Sequence, residues 1–170
     1  SLFKGQIKNN PDNAMAQYGY GLTLNRDGNP KAAVTHLKIA LEKKPGDADI
    51  AIDLGIAYFM TGEYSEALKT FKKVPKSSSN ITTGQIYTGR SQMALDMHEE
   101  AAATFNSLIK NDPDNVNVYF FLGETEGKLN RLGSAHYNLG QYYVKTKHLQ
   151  NTKFHLNKAL ENETNPEQIE

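Results

Sequence analysis

Apolar residues along this chain recur with the spacing of one face of a helix. After the break at residues 27–30, Ala33, Leu37, Ala40 and Leu41 follow at i, i+4, i+7 and i+8. Turns that contain Gly or Pro separate this stretch from similar stretches on both sides. The pattern therefore predicts short amphipathic helices joined by tight turns, and an all-α fold.

Three residue types repeat with a period of 34, and the length of 170 residues equals five such periods. Each repeat places an alanine 12 residues after a glycine, and a proline often marks the boundary between repeats. Agreement of several residue types on one period indicates a structural repeat. The repeating positions are Gly21, Gly55, Gly89 and Gly123, then Ala33, Ala67, Ala101 and Ala135, then Pro11, Pro45 and Pro113.

The period divides most of the chain into four units, residues 14–47, 48–81, 82–115 and 116–149. Residues 1–13 fit a partial preceding helix, so we expect the chain to be cut from a longer one. Near the end the register shifts, because Leu139-Gly140 repeats the signature of Leu122-Gly123 only 17 residues later. We therefore predict an overlapping last repeat at 133–163, which shares the helix 132–145 with unit four, and a polar, loose tail at 164–170.

The second unit differs from the others at the end of its second helix. Pro75 follows Phe71 by four residues, where the proline ring and the missing N–H break a helix. Residues 76–80 contain no apolar side chain. We predict a shortened helix and a mobile loop at residues 75–80.

A helix–turn–helix unit of 34 residues with small residues at fixed places resembles the tetratricopeptide repeat (TPR). Unit one carries Gly21 in the first helix, Ala33 and Leu37 in the second, and Pro45 at the end, as that pattern requires. The resemblance implies a right-handed superhelix, an α-solenoid, of about nine to ten antiparallel-paired helices. It also implies a module that binds protein or peptide segments.

In such a stack the first helix of each unit lines a concave groove. The groove positions of this chain are unusually apolar, and exposed apolar patches commonly mark binding surfaces. The alternative is that some of these residues pack against the neighbouring first helix, with weak self-association as a variant of either case. The predicted partner-binding stripe consists of Tyr18, Leu22, Arg26, Ile52, Ile56, Phe59, Met60, Ile86, Arg90, Met93, Phe120, Glu124, Tyr137 and Gln141.

The charge balance and the absence of cysteine argue against several classes of function. Lys and Arg number 19, and Asp and Glu also number 19, so the basic excess of a nucleic-acid-binding protein is missing. Without cysteine, thiolate nucleophiles, disulfides and Cys-ligated metals are excluded. No apolar run reaches the length of a membrane span, so we expect no membrane insertion.

The sequence shows no catalytic or cofactor-binding motif. His98-Glu99-Glu100-Ala101-Ala102 begins like the zinc motif H-E-x-x-H but lacks its second histidine. His148 and His155 lie seven residues apart, which gives two ligands without a third. We therefore expect this chain to be non-catalytic and to hold no metal or other cofactor, and a hydrolase with an unrecognised site is the least favoured alternative.

The helix near the C-terminus carries Ala135-His136, Leu139 and Tyr142-Tyr143, an A-H-x-x-L-x-x-Y-Y pattern. This pattern resembles the end of the C-terminal TPR domain of bacterial periplasmic zinc metalloproteases of the BepA type. The resemblance implies a zinc-protease domain upstream, a role in envelope protein quality control and a periplasmic location, although a cytoplasmic one stays open. The alternative is a free-standing TPR scaffold of a secretion, pilus or lipoprotein assembly system.

Overall fold

The computed structural model describes residues 2–163, and all of the regular structure in that range is helical. The predicted all-α class is therefore confirmed, with ten helices in the described range. The predicted loose tail at 164–170 lies outside it. The helices are α1 (Leu2–Asn9), α2 (Ala14–Arg26), α3 (Pro30–Lys43), α4 (Ala48–Met60), α5 (Tyr64–Phe71), α6 (Ile81–Ala94), α7 (His98–Asn111), α8 (Val116–Lys128), α9 (Leu132–Lys145) and α10 (Leu149–Glu163).

The chain divides into two compact units, a first unit of residues 1–91 and a second unit of residues 92–170. In the first unit α2 packs on α3, α3 on α4 and α4 on α5. In the second unit α7 packs on α8, α8 on α9 and α9 on α10. Within each unit these helices thus contact their neighbours in the sequence, as expected of a repeat protein that buries one helix pair against the next.

Short polar residues begin several of these helices. The side chains of Asn13, Asn29 and Asp47 each accept a hydrogen bond from the backbone N–H three residues later, at 3.1 to 3.2 Å. These caps satisfy backbone donors that the first helical turn leaves without a partner. Asn29 is followed by Pro30 at the start of α3, where proline loses no helical hydrogen bond.

The tight turn inside each pair uses a residue with positive φ, and this position keeps the repeat. Gly28 and Gly62 have φ near +80°, and Asp96 and Asn130 have φ near +60°. These four residues lie 34 positions apart, and Lys147 takes the same conformation only 17 positions after Asn130. The left-handed region favours Gly, Asn and Asp, so this backbone conformation explains the choice of Gly28, Gly62, Asp96 and Asn130 at these turns.

In several helix pairs, a glycine in one helix faces a large side chain in the next. A Cβ added to Gly55 would overlap the ring of Phe71, and one added to Gly21 would lie 2.7 Å from Leu37 Cγ. In the second unit a Cβ on Gly123 would lie 2.7 Å from Leu139 Cγ. In these three contacts the large residue comes 16 positions after the glycine. Its side chain therefore fills the space where the glycine side chain is missing.

The first unit encloses a core between α3, α4 and α5. Leu37, Leu54 and Phe71 are buried there together with Ala33 and Ala67. The two alanines are fully buried, so the small side chain allows the helices to approach closely. In the second unit the corresponding buried residues include Ala101, Phe105, Leu122 and Ala135.

The helix α5 ends at Phe71, after only eight residues, as Pro75 predicts. Beyond it, Lys73 N–H donates to Thr70 O at 3.1 Å and Val74 N–H donates to Phe71 O at 3.0 Å, so the last turn tightens. Residues 72–80 then run as turns and bends up to α6. Val74 nevertheless remains buried beside Ala51 and Ile52.

The helix α9 packs on both of its neighbours, α8 and α10. Leu139 fills the space beside Gly123 of α8, and the adjacent Gly140 receives Leu156 of α10. One helix therefore serves as the second member of one pair and the first member of the next.

Two histidines also join α9 to α10. His136 Nδ1 and His155 Nδ1 lie 2.8 Å apart, and the His155 ring stacks on Tyr143 at 5.3 Å between centroids. A hydrogen bond between two imidazoles requires one neutral accepting nitrogen. Burial, and then the neighbouring His136, lower the pKa of His155.

The contact between Gly55 and Phe71 leads to a stability prediction. We expect Gly55→Ala to lower the free energy of unfolding by about 1–3 kcal/mol, because the new methyl group must displace an aromatic ring. Urea unfolding followed by circular dichroism measures the change. Gly127→Ala is the matched control, since its Cβ would meet only Ala135 Cβ at 3.9 Å. This variant should be neutral or more stable by up to about 1 kcal/mol. Equal destabilisation by the two substitutions would contradict the proposed role of the glycine.

The histidine pair leads to a prediction for the pH dependence of stability. The folded-state pKa of His155 lies below its ordinary value, so in mild acid the unfolded chain binds a proton that the folded chain does not. The free energy of unfolding should therefore fall as the pH drops through about 6.5 and level off below the folded-state pKa. Denaturant titrations across this range test the effect.

The matched variant is His155→Phe, which keeps an aromatic ring beside Tyr143 but does not titrate. We expect a shallower pH dependence in this variant than in the wild type. His36, whose pKa is also lowered by burial, contributes equally to both proteins. A pH dependence in His155→Phe as steep as in the wild type would show that the histidine pair is not responsible.

Candidate partner-binding site

The first helices of the first unit, α2, α4 and the part of α6 within residues 81–91, carry most of the predicted stripe. We call the surface formed by these three helices, together with the adjoining Asn80, the first-helix face. Hydrogen bonds and ring contacts link its helices: Tyr18 of α2 bonds to Asp53 of α4, and Phe59 of α4 contacts Tyr87 of α6. The face therefore combines a polar part with an aromatic part.

The polar part surrounds a cavity of about 300 Å3, which we call the polar pocket. Tyr18 donates its hydroxyl hydrogen to Asp53 Oδ2 at 2.7 Å. Asn80 donates through Nδ2 to Asp49 Oδ1, also at 2.7 Å. The pocket is lined by Tyr18, Asp49, Ile52, Asp53, Asn80 and Thr83.

The electrostatics of the polar pocket are acidic. Burial raises the pKa of Asp53, and so does the nearby Asp49, while the hydrogen bond from Tyr18 acts in the opposite direction. Burial also raises the pKa of Tyr18, and the bond to Asp53 adds to this effect. Within residues 2–163, neither Asp49 nor Asp53 forms an ion pair with Lys, Arg or His. The pocket thus presents two carboxylates without a neutralising cation.

The aromatic part lies at the other end of α4. The ring of Phe59 contacts Tyr64 at 5.4 Å and Tyr87 at 5.2 Å between centroids, both edge to face. The guanidinium of Arg90 lies 4.5 Å from the Phe59 centroid and 4.8 Å from the Tyr87 centroid. Such stacking holds Arg90 against the rings and covers much of Phe59.

The structure places the stripe residues of the first unit at different depths. Ile52 is only 4% exposed and packs with Ala51 and Val74, so most of its side chain belongs to the core, although it also lines the polar pocket. The cause is the close packing of α4, whose side chains are buried on several sides. Met60 is 50% exposed and Arg26 is exposed. The remaining members are partly buried: Tyr18, Leu22, Ile56, Phe59, Ile86 and Arg90.

In the second unit the stripe residues lie in different places, some in an aromatic cluster and others beside an apolar cavity. Phe120 lies partly buried against Phe121 and Tyr142, at 5.9 and 5.3 Å between ring centroids. Tyr137 is half exposed and, with Gln141, borders an apolar cavity of about 370 Å3 between α9 and α10. Glu124 is exposed, and Met93 is partly buried. Partner binding by all these residues stays a prediction.

Sequence reasoning left important pocket residues out of the predicted stripe. Asp49 and Asp53 are one helical turn apart on α4, and this i, i+4 spacing could have indicated a joint acidic site. No spacing pattern indicated Asn80, because it lies in the irregular segment between α5 and α6. Tyr87 and Arg90 have i, i+3 spacing, which could have indicated their contact.

The described part of the chain offers little for metal binding or membrane insertion. Residues 2–163 contain no group of three or more His, Cys, Asp or Glu that could hold a metal ion. His98 is partly buried, and its Nδ1 has no hydrogen-bond partner in that range. None of the helices described is long and apolar enough to cross a membrane.

Comparison with known proteins gives the family. Three sequence profiles, each described as a tetratricopeptide repeat, match residues 24–80, 85–115 and 133–165. Together they cover more than half of the chain. Superkiller complex protein 3 of Mus musculus is 33% identical over 104 residues, which are 61% of this chain and 7% of that protein. The chain thus spans a small part of the curated relatives it matches.

Solved structures agree with the family. YrrB, described as a TPR protein with an unusual peptide-binding site, aligns with a TM-score of 0.76 and 15% identity over 99% of this chain and 87% of that one. PilW, described as a widely conserved type IV pilus biogenesis factor, aligns with a TM-score of 0.76 and 15% identity over 98% and 86%. At this identity the likeness concerns the fold. Helix pairs, repeat period and profile matches together show that the chain belongs to the tetratricopeptide repeat family.

Proposed function

We propose that this TPR protein-interaction module binds an extended protein segment on the first-helix face of its first unit. The segment places a Lys or Arg side chain in the polar pocket and an apolar side chain beside Met60. The carrying observation is the polar pocket, in which Asp49 and Asp53 lie next to one another without a cation among the described residues.

The electrostatics support a cationic occupant. Burial, and the nearby Asp49, disfavour the charged carboxylate of Asp53 and raise its pKa. An ammonium or guanidinium group in the pocket would stabilise that charge and gain charge-assisted hydrogen bonds. A carboxylate from a partner would instead be repelled, so the pocket selects the sign of the charge.

The apolar surroundings supply the remaining affinity. Met60 is half exposed, and Leu22 and Ile56 are partly exposed on the same helices. Covering about 300 Å2 of apolar surface contributes several kcal/mol at about 25 cal/mol per Å2, before association costs are subtracted. The aromatic contacts of Phe59 make it a structural residue as well, so it is a poor choice for a binding test.

Replacement of both pocket carboxylates tests the proposal. Peptides are first selected from a random phage-display library on the immobilised wild-type chain, and their affinities are measured by fluorescence anisotropy. We expect Asp49→Asn with Asp53→Asn to weaken the basic peptides by about tenfold or more, because a partly buried charge pair is lost. The amide introduced at position 53 keeps an oxygen that can accept from Tyr18.

The matched control is Asp27→Asn with Asp112→Asn, which removes the same charge at exposed positions. This control should change the affinity by less than about twofold, since exposed charges interact weakly. A selection that yields no peptide with Lys or Arg, or equal affinities of the basic peptides for the two double variants, would contradict the proposed pocket.

We further propose that the parent chain is a periplasmic zinc metalloprotease and that this module positions its substrates. The support is the A-H-x-x-L-x-x-Y-Y resemblance in α9, together with the two-sided packing of that helix. In this proposal the zinc belongs to an upstream domain. The alternative is a free-standing scaffold of a secretion, pilus or lipoprotein assembly system.

The sequence of the parent gene separates these two contexts. The protease context predicts a signal peptide and an H-E-x-x-H motif before residue 1, and zinc-dependent peptidase activity in the purified parent protein. A parent chain that consists of repeats alone would support the scaffold and exclude the protease. The result does not affect the pocket test, because that test uses the 170-residue chain.

A further inference from the structure

A second groove lies in the first unit, between the second helices α3 and α5. We call it the second-helix groove, and its volume is about 750 Å3. Leu41 and Glu42 of α3 form one wall, and Thr70 of α5 with Lys73 just beyond it forms the other. Tyr58 of α4 lies at the bottom. None of these residues lines the polar pocket.

The groove follows from the early end of α5. In the 34-residue register, Leu41 and Glu42 of α3 correspond to Pro75 and Lys76, where α5 has already ended. A longer α5 would cover the second half of α3, but α5 ends too early to do so. The gap opens beside Leu41, which stays partly exposed although it packs on the core.

The floor of the groove is apolar. Leu54 and Tyr58 are buried at its base, and Leu41 and Pro45 border it. A volume of about 750 Å3 is within the usual range of sites that enclose several side chains or a small ligand. The floor can therefore receive one or two apolar side chains of a partner.

The rim of the groove is basic. It carries Lys38, Lys69, Lys72 and Lys73, against two glutamates. Lys69 pairs with Glu66 at 2.6 Å. Within residues 2–163, the other three lysines form no ion pair and are exposed. Four lysines against two glutamates thus leave a net charge of +2 around an apolar floor.

We propose that the second-helix groove binds an acidic amphipathic segment of a partner protein. Apolar side chains of the segment rest on Leu41 and Tyr58, and its carboxylates face Lys38, Lys72 and Lys73. The charge of this groove is opposite to that of the polar pocket, so the two sites select different segments. The proposal does not depend on the function proposed for the first-helix face.

The chemistry favours a protein segment over nucleic acid or a membrane. A nucleic-acid site needs a wider basic surface, whereas this chain has no net charge and the groove also contains Glu42 and Glu66. A membrane-binding surface presents projecting apolar side chains to the lipid. Here the apolar groups lie at the bottom of a groove, where a side chain can reach them.

A designed probe tests the groove in the 170-residue chain. The probe is a fluorescein-labelled peptide of about 14 Glu and Leu residues, roughly four helical turns with Leu on one face. A second peptide replaces every Glu by Lys. Anisotropy titrations at low and physiological salt should show binding of the Glu peptide. The Lys peptide should bind at least about tenfold more weakly to a chain that carries Asp49→Asn with Asp53→Asn, in which the acidic pocket cannot hold it.

The decisive variant is Lys38→Glu with Lys72→Glu and Lys73→Glu. We expect it to weaken the Glu peptide by about tenfold or more, because three rim charges reverse. Lys31→Glu with Lys110→Glu and Lys153→Glu is the matched control, with the same change of net charge at exposed positions. The control should lose less than about twofold. Circular dichroism checks that both proteins remain folded.

Three results would overturn the proposal. One is equal weakening by both triple variants, which would show attraction by net charge alone. Another is failure of the Glu peptide to bind while vesicles of phosphatidylcholine and phosphatidylglycerol, or a thymidine oligonucleotide, bind through the same lysines. The third is loss of Glu-peptide binding in Met60→Ser, which would place the probe on the first-helix face.

Discussion

The contact between a glycine of one helix and a large side chain of the next determines the register of each helix pair. At Gly55 the ring of Phe71 occupies the space that any side chain would need, and Gly123 and Leu139 repeat the arrangement in the second unit. This contact fixes how far one helix slides along the other. It therefore also determines which residues point into the core and which remain on the surface, because neighbouring helical positions differ by 100°.

The two faces of the first unit are consequences of that register. The first helices present Asp49 and Asp53 around a small polar cavity, and the second helices present lysines around a larger apolar one. The chain has no net charge, yet within this unit the polar pocket carries two aspartates and the second-helix groove carries more lysines than glutamates. If both proposed sites are correct, the module binds two chemically different segments at once, since neither site uses a residue of the other.

Much of this fold could be predicted from the sequence, because the repeat has a direct physical cause. Glycine, alanine and turn positions recur because the helix pairs pack in the same way. Pro75 indicates the early end of α5. The depth of the surface residues was harder to predict. Ile52 lies on a helix that is apolar on nearly all sides, so its periodicity could not separate an open face from the core. The bond between Tyr18 and Asp53 joins residues 35 positions apart, and local spacing carries no signal for it.

The helix α9 combines two packing roles in adjacent residues: Leu139 fills the space beside one glycine, and Gly140 offers such a space to Leu156. A helix with both features needs no fixed assignment as first or second member. The elementary step of growth in such an array is then a single helix and not a helix hairpin. Arrays could therefore be lengthened or shortened by an odd number of helices, which would reverse the direction in which the terminal helix leaves the stack.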